Sequence, residues 1–293
     1  MITEKLEKCA EEVSARLDKY LDLKDADYKN LTDSMRYSVL SGGKRIRPYL
    51  AYAFARALGA DIERVWPMAC AMEMTHCASL IHDDLPVMDD DDLRRGKPTN
   101  HKVFGEATAL LAGDALFIYV YQVIADAKEL DDRSKVLAIS LLSSSAGPCG
   151  MVGGQQIDMD SENTSPSIDL LKKLQSLKTG ALIYASCALG CIAANKYEDE
   201  SVMNACRKYA QCIGLAFQIK DDILDVTSTA EVLGKPIGSD AANCKNTFMS
   251  HMSVDEAQKL VDDLTKEAIE AVSDIDTYKD LEELAVFLCG RES

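Results

Sequence analysis

The sequence predicts an all-α fold. Nearly every segment has apolar residues at the three- and four-residue steps of an amphipathic helix, and almost none shows the alternation of a half-buried strand. No linker rich in proline, serine or glycine divides the chain, and no repeat of fixed period occurs. With 293 residues, 47% of them hydrophobic, the chain has enough material for a large core. We therefore expect residues 1–293 to form a single domain in which an outer layer of helices buries the central ones.

The helical pattern begins near the N-terminus, where Leu6, Cys9, Ala10, Val13 and Leu17 share one face. Similar patterns predict helices over 33–58, 65–82, 105–130, 134–156, 167–194, 199–226 and 254–289. Segments rich in helix-breaking residues predict interruptions at 41–48, 57–61, 85–100, 161–167 and 228–246, the last being the longest.

Charge and cysteine usage restrict the class of protein. A net charge of −16 argues against a nucleic-acid partner, because phosphate backbones attract basic surfaces. The ten cysteines include no CxxC pair and mostly stand singly among apolar residues, which is typical of free thiols in a reduced compartment. The longest uncharged apolar run, from Ala181 to Ala194, has 14 residues. Since a bilayer span needs roughly 20 residues, we expect a cytoplasmic protein without a transmembrane segment.

The segment FQIKDDILD contains a compact cluster of carboxylates, Asp221, Asp222 and Asp225. On a helix, Asp221 and Asp225 share a face at i and i+4, and Asp222 flanks them. The neighbouring residues are apolar, so the helix is expected to be mostly buried and its acids to need a cation or a hydrogen-bond donor. A solvated stripe on an amphipathic helix is the alternative.

The segment HDDLPVMDDDDLRRG contains a denser but less regular acidic cluster. Asp83 and Asp84 end an apolar run that is expected to be helical. Pro86 disfavours helical geometry at Leu85, so Asp89 could reach the same cation as Asp83 only if the backbone unwinds there. Asp90, at i+7 from Asp83, would share its face on an ideal helix. Spacing alone leaves both possibilities open.

Carboxylates without His or Cys ligands favour a hard cation such as Mg²⁺, which is often shared with substrate phosphates. An EF-hand is excluded, because the twelfth residue from Asp83 is Arg94 and the twelfth from Asp89 is Asn100. His76 and His82 also permit a phosphohydrolase metal site, although the chain has only four histidines. Basic residues next to glycines or aspartates suit diphosphate capture through bridging magnesium: Lys44, Arg45, Arg47, Arg94, Arg95, Lys178 and Lys235.

These segments resemble the trans-prenyl diphosphate synthase family. HDDLPVMDDDDLRRG is similar to the first aspartate-rich motif of that family, DDx4D, and FQIKDDILD to the second, DDxxD. The resemblance also covers GGKRIRP, THCASLIHDD, GKPTNHKVFGEATALLAGD, GGQQIDM, LKTGAL and LGKPIGSD, and it is greatest to bacterial farnesyl diphosphate synthases. It implies an isoprenoid-synthase-type helical bundle around a deep central cavity, usually in a homodimer. It also implies condensation of isopentenyl diphosphate with dimethylallyl or geranyl diphosphate.

The resemblance assigns roles by position. It implies Mg²⁺, with three ions when substrate is bound, held by Asp83, Asp84 and Asp89 on one side and by Asp221, Asp222 and Asp225 on the other. The family pattern thus favours Asp89 over Asp90.

Isopentenyl diphosphate would bind to Lys44, Arg47, His76 and Arg95, and the allylic diphosphate to Arg94, Lys178 and Lys235. Thr179 and Gln218 would lie near the reacting carbon, and Gln155 and Asp158 would line the site in a less defined role. His76 and Ser79 share a helical stripe with Asp83, although a core histidine is the alternative for His76.

Product length is expected to depend on residues one or two helical turns before Asp83. Many bacterial farnesyl synthases have an aromatic residue five positions before the first aspartate, whereas this chain has Ala78 there, followed by Ser79. This small floor predicts a C15 product with capacity for C20, unless Phe117, Tyr119 or Tyr121 closes the cavity. A less basic C-terminus, with only Arg291, leaves open whether the tail closes the site. A class I terpene cyclase and a noncatalytic synthase subunit are the alternative functions.

Overall fold

The computed structural model describes residues 1–24, 27–162, 164–227 and 247–290. The helices are α1 (Ile2–Tyr20), α2 (Lys29–Val39), α3 (Ile46–Ala57), α4 (Trp66–Asp83), α5 (Asn100–Phe104), α6 (Glu106–Asp126), α7 (Asp132–Ala146), α8 (Met151–Asp160), α9 (Ile168–Gln175), α10 (Ala181–Ala193), α11 (Glu200–Thr227), α12 (Val254–Val272) and α13 (Asp280–Cys289). Short 3₁₀ helices span Ile62–Arg64 and Phe248–Ser250, and a π-helical turn spans Ser176–Gly180. The all-α prediction is confirmed.

The described part of the chain includes one small β-hairpin, which the sequence pattern did not predict. Its strands, β1 (Leu93–Arg94) and β2 (Lys97–Pro98), pair antiparallel across Arg95 and Gly96, both of which have positive φ. The hairpin follows the first acidic cluster and turns the chain back before α5. The predicted break at 85–100 therefore contains ordered structure.

Besides the predicted break at 41–48, which separates α2 from α3, two predicted helices are interrupted where no break was predicted. The pattern over 134–156 divides into α7 and α8 at Gly147–Gly150, where Gly147, Pro148 and Gly150 disfavour a continuous helix. The pattern over 254–289 divides into α12 and α13. There the Asp276 carboxylate accepts hydrogen bonds from the backbone N–H groups of Asp280, Leu281 and Glu282 and so caps the second helix.

The centre of the molecule is formed by α3, α4 and α10, which pack on one another. Both α4 and α10 bury most of their residues, as their continuous apolar sequences predict. Gly190 on α10 permits the close approach to α3, because a Cβ at Gly190 would lie 2.4 Å from the Ala51 carbonyl oxygen. Helix α6 covers α4, while α7 and α11 cover α10. The two ends of the chain meet at buried Asp280, which accepts from Lys5 and Arg56.

In the part of the chain that the structure describes, three helical stretches are long and apolar enough to cross a membrane by length and composition: Glu106–Asp126, Asp132–Asp160 and Ile168–Ala193. Between 39% and 61% of their apolar windows is buried inside the protein. These stretches are longer than the 14-residue apolar run from which the sequence argument was made. The absence of a membrane-spanning segment therefore stays a prediction. In the described ranges eight of the nine cysteines are buried, as predicted for thiols among apolar residues.

Candidate active site

A cavity of about 470 Å³ opens among α4, α6, α8 and the π-helical turn. Its walls include polar residues that the sequence singled out: Arg47, His76, Ser79, Asp83, Gln155, Lys178 and Thr179. The remaining walls are largely apolar and include Leu85, Met88, Leu110, Phe117, Met151, Val152 and Leu182. One hollow therefore combines charged groups with a space suited to a hydrocarbon chain.

The backbone unwinds directly after Asp83, where α4 ends. The backbone N–H of Asp89 donates to the Asp83 carbonyl oxygen at 2.9 Å, and the backbone N–H of Met88 donates to the Leu85 carbonyl oxygen at 2.9 Å. The chain thus turns back on itself at the position where Pro86 predicted a break. Asp89 returns beside Asp83, whereas Asp90 adopts a left-handed conformation with φ of 51°. The geometry favours Asp89 as the neighbour of Asp83.

The Asp83 side chain lies in an electrostatically unfavourable position. Burial raises the pKa of its carboxyl to about 6; Lys178 opposes this rise and the Asp89 charge adds to it. A partly buried acid beside a second acid would be stabilised by additional positive charge. The pair therefore suits a bound cation.

Asp84 lies differently from Asp83. It is buried, and its Oδ1 accepts from Arg94 Nε at 2.9 Å. Arg94 Nη2 also donates to Asp84 and, at 2.9 Å, to Asp91 Oδ2. In this structure Asp84 and Arg94 are bonded to each other, so either residue would have to exchange partners to bind metal or diphosphate.

The second acidic cluster lies on the uninterrupted helix α11. Asp222 and Asp225 are buried, which argues against a solvated stripe. Asp222 Oδ2 accepts from the backbone N–H of Phe248 at 2.7 Å, and its Oδ1 accepts from Gln218 Nε2 at 3.3 Å. Asp221 is partly exposed. Helix α11 packs against the π-helical turn that carries Lys178 and Thr179.

Within the described residues, no three His, Cys, Asp or Glu side chains converge on a preformed metal site. Mg²⁺ commonly takes one or two carboxylates and completes its octahedron with water and substrate phosphate. The all-oxygen donors at Asp83 and Asp89, together with the raised pKa of Asp83, fit such a shared ion. They do not fit a closed protein cage.

A basic subsite is formed by Arg47 of α3 and His76 of α4, about two turns before Asp83. Arg47 Nη1 donates to His76 Nε2 at 3.3 Å, which requires a neutral imidazole with its proton on Nδ1. Burial and the charges of Arg47 and Arg95 hold the pKa of His76 well below its usual value. Burial also lowers the pKa of Arg47, and the buried Nε of Arg47 has no hydrogen-bond partner. An anion bound here would satisfy that donor.

The other predicted basic residues have different surroundings. Arg95 contacts Gly43 and donates to the Gly42 carbonyl, so it touches the glycine loop that precedes Arg47. Lys44 Nζ lies 5.7 Å from the centre of the Phe287 ring on α13. Lys178 Nζ lies 2.6 Å from Asp158 Oδ2. Lys235 lies outside the described residues.

With this geometry in view, the chain can be compared with known proteins. Residues 28–283 match the family model described as polyprenyl synthetase. The chain belongs to this family.

The chain is 40% identical to the farnesyl diphosphate synthase of Escherichia coli strain K12, over 93% of this chain and 91% of that protein. It is 47% identical to the geranylgeranyl diphosphate synthase of Cyanophora paradoxa, over 82% and 80% respectively. The crystal structure of an FPP/GFPP synthase from Zymomonas mobilis superimposes with a TM-score of 0.88 at 32% identity, covering 98% of both chains. The protein is therefore a prenyltransferase, and the fold is that of the isoprenoid synthases.

The two residues predicted to form the floor of the cavity have different surroundings in this prenyltransferase. Ser79 lines the cavity, whereas Ala78 is fully buried and is absent from the described lining. Among the aromatic candidates Phe117 lines the cavity; Tyr119 instead donates its hydroxyl to the Tyr20 carbonyl. The two small residues face different directions because they are adjacent on a helix and about 100° apart.

One fully buried charged pair of the prenyltransferase was not predicted from its sequence. Arg45 was noted only as a possible phosphate ligand, but it is buried and donates to Glu73 at 2.5 Å and to the Val39 carbonyl at 2.6 Å. Its φ of 49° places it in the left-handed region at the start of α3. Glu73, one turn before His76, is a lone carboxylate in an otherwise apolar stretch of α4. That isolation was the available signal for a buried ion pair.

Proposed function

We propose that this prenyltransferase is a short-chain trans-prenyl diphosphate synthase. It condenses isopentenyl diphosphate with dimethylallyl or geranyl diphosphate and yields mainly farnesyl diphosphate, with capacity for geranylgeranyl diphosphate. The observation that carries the proposal is the single cavity that joins Asp83, Lys178 and the Arg47–His76 subsite to apolar walls. Relatives with both product names support the short chain length.

We assign the allylic diphosphate to the acidic side of the site. Mg²⁺ ions, three in the loaded enzyme, would supply positive charge to the departing diphosphate. Their ligands would be Asp83, Asp84 and Asp89 from the first cluster and Asp221, Asp222 and Asp225 from the second. Lys178, Arg94 and Lys235 would bind the same diphosphate directly. Arg94 would first release Asp84, with which it is paired here.

Isopentenyl diphosphate is assigned to Arg47, His76, Lys44 and Arg95. The unpartnered Nε of Arg47 and the neutral state of His76 support this assignment. Neutral His76 can donate a hydrogen bond from Nδ1 without adding another positive charge beside Arg47. Lys44 would turn from the Phe287 ring toward the anion.

The reaction then depends on position and on exclusion of water. The double bond of isopentenyl diphosphate attacks the allylic cation that forms when the C–O bond to diphosphate breaks. The adduct then loses a proton, which the released diphosphate would accept. Thr179 and Gln218 are assigned to the surroundings of the reacting carbon, and Lys178 would stabilise the leaving group. Met88, Phe117 and Leu182 line an apolar space in which water cannot easily quench the cation.

We further propose that the enzyme acts as a homodimer through α6. Leu111 and Ile118, seven residues apart, are 57% and 70% exposed, and Leu110 is both exposed and part of the cavity wall. A second copy on this face would bury these side chains and close that side of the cavity. Replacing Ile118 with aspartate should give a monomer in sedimentation equilibrium, and an unchanged dimer would contradict the interface.

The chain is proposed to be one cytoplasmic domain. The contacts of Lys5 and Arg56 with Asp280 join the two ends of the chain around one core, which supports a single domain. Gln155, Asp158 and Lys178 lie on two of the three apolar helical stretches and border the cavity region, which supports their burial in the protein over insertion in a bilayer.

The decisive experiment incubates the purified chain with labelled isopentenyl diphosphate, each allylic primer and Mg²⁺. The expected products are C15 and a smaller share of C20, identified by chromatography. Strictly C10 products, or products of C30 and longer, would contradict the proposed floor. Loss of the primer without consumption of isopentenyl diphosphate would indicate a terpene cyclase. Turnover only with an added second subunit would indicate a noncatalytic chain.

A further inference from the structure

The segment GGQQIDM on α8 contacts the π-helical turn at two points. The first contact is between backbones: a Cβ at Gly154 would lie 2.2 Å from the Lys178 backbone nitrogen. No side chain fits at that position, so α8 lies directly against the residue that carries the cavity lysine. This contact fixes where the Lys178 side chain begins.

The second contact fixes where the Lys178 side chain ends. Asp158 is one helical turn after Gly154, and its Oδ2 lies 2.6 Å from Lys178 Nζ. The two side chains are 23% and 24% exposed, so the pair is partly shielded from water. The Lys178 ammonium is also close enough to Asp83 to act on its carboxylate electrostatically. Lys178 therefore has acidic neighbours on two sides.

We propose that Asp158 is a positioning residue that keeps Lys178 from occupying the first aspartate cluster before substrate binds. Without the charge of Asp158, the Lys178 ammonium would still be attracted by Asp83, on whose carboxyl it acts electrostatically. Lys178 would then compete with Mg²⁺ for that carboxylate. With Asp158 present, Lys178 is held away from Asp83 and can later move to the incoming diphosphate. This inference rests on the proposed function.

The test measures Mg²⁺-dependent binding of a non-ionising thiolo analogue of an allylic diphosphate by calorimetry. Asp158→Asn keeps the shape of the side chain and removes its charge, and we expect the half-saturating Mg²⁺ concentration to rise about tenfold. Asp160→Asn is the matched control, because Asp160 lies exposed on the same helix and accepts only from Gln156 in the described contacts. The control should stay within about twofold of wild type. Asp158→Glu should restore most of the Mg²⁺ affinity.

A double-mutant cycle identifies Lys178 as the competitor. In a Lys178→Gln background, Asp158→Asn should change the Mg²⁺ half-saturation by less than about twofold. An unshifted Mg²⁺ dependence in the Asp158→Asn single variant would overturn the inference, as would an equal shift in both backgrounds. A loss of thermal stability without a shift in Mg²⁺ dependence would make Asp158 merely structural. Failure of the proposed function is distinct, since wild type would then neither bind the analogue nor turn over substrate.

Discussion

The two aspartate clusters present carboxylates from different kinds of backbone. The second cluster lies within α11, which continues unbroken from Glu200 to Thr227. The first cluster begins where α4 ends at Asp83 and continues through a turn in which Asp89 bonds back to the Asp83 carbonyl. One cluster is presented by a regular helix and the other by an unwound helix end.

The difference suggests different responses to ligand. In the second cluster, Asp222 is fixed by the Phe248 amide and by Gln218. In the first, Asp84 is held by a side chain, Arg94, that can exchange partners without any change in the backbone. We infer that the first cluster adjusts to the metal and diphosphate, while the second provides a more rigid opposite wall.

The largest expected effect tests whether both clusters serve one reaction. Asp83→Ala and Asp221→Ala should each lower the turnover rate by about three orders of magnitude, about 4 kcal/mol, because each removes a proposed ligand of the Mg²⁺ that would neutralise the departing diphosphate. Asp92→Ala is the control, since Asp92 belongs to the same acidic run but pairs with Lys102 on the surface. Incorporation of labelled isopentenyl diphosphate measures the rate, and circular dichroism checks folding. Full activity in either Asp83→Ala or Asp221→Ala would show that the two clusters do not both serve the reaction.

The next prediction concerns stability in the absence of metal. Asp222→Ala should lower the free energy of unfolding by about 2 kcal/mol, because it leaves the buried Phe248 N–H without its acceptor. Asp84→Ala should cost about 1 kcal/mol or less, since burial raises the pKa of Asp84 and Arg94 can still contact Asp91. Urea denaturation in EDTA measures both. The reverse order would show that the first cluster is the more rigid one.

The pH dependence of stability gives a smaller effect of defined sign. The pKa of Asp83 is raised to about 6, so the folded state binds this proton more tightly than the unfolded state. Its contribution to stability is therefore full at low pH and is lost as pH rises from about 4 through about 6. Metal-free Asp83→Asn should accordingly be more stable than wild type by about 1–2 kcal/mol at pH 8.

The control for this pH effect is measurement near pH 4, where the two proteins should unfold at nearly the same urea concentration. Adding Mg²⁺ with a diphosphate analogue at pH 8 should reverse the order of stability, because only wild type has the carboxylate that is proposed to bind the metal. A constant difference between the two proteins at every pH would show that the Asp83 carboxyl does not titrate differently on folding.

The smallest effect concerns product length beneath the first cluster. Ser79→Phe should fill the cavity and reduce the C20 to C15 product ratio at least about fivefold, with little loss of total turnover. Ala78→Phe should instead disturb the core by about 1–3 kcal/mol, because Ala78 is fully buried. Product chromatography measures the change in product length, and thermal unfolding measures the loss of stability. If Ala78→Phe shortened the product and Ser79→Phe did not, the floor of the cavity would have to lie on the other face of α4.

Regular structure was the part of the site that the sequence predicted well. The i, i+4 spacing of Asp221 and Asp225 was sufficient to place them on one buried helix, because a continuous helix leaves no choice of geometry. Beside Pro86 the choice between Asp89 and Asp90 depended on how the chain unwinds, and spacing could not determine that. The Arg45–Glu73 pair was missed because it joins two elements that are distant in sequence. Ala78 and Ser79 were treated together, although a rotation of about 100° separates their contacts.

Helix α4 carries Glu73, which fixes the loop of Arg45, and then His76 and Asp83. Seven residues of helix hold the last two about 10 Å apart along its axis, whatever the length of the hydrocarbon tail. Under the proposed assignments, the spacing between the two diphosphate groups therefore does not depend on the volume of the space for the hydrocarbon tail. Evolution or engineering can enlarge that space through residues such as Ser79, while the helical segment between His76 and Asp83 keeps its length.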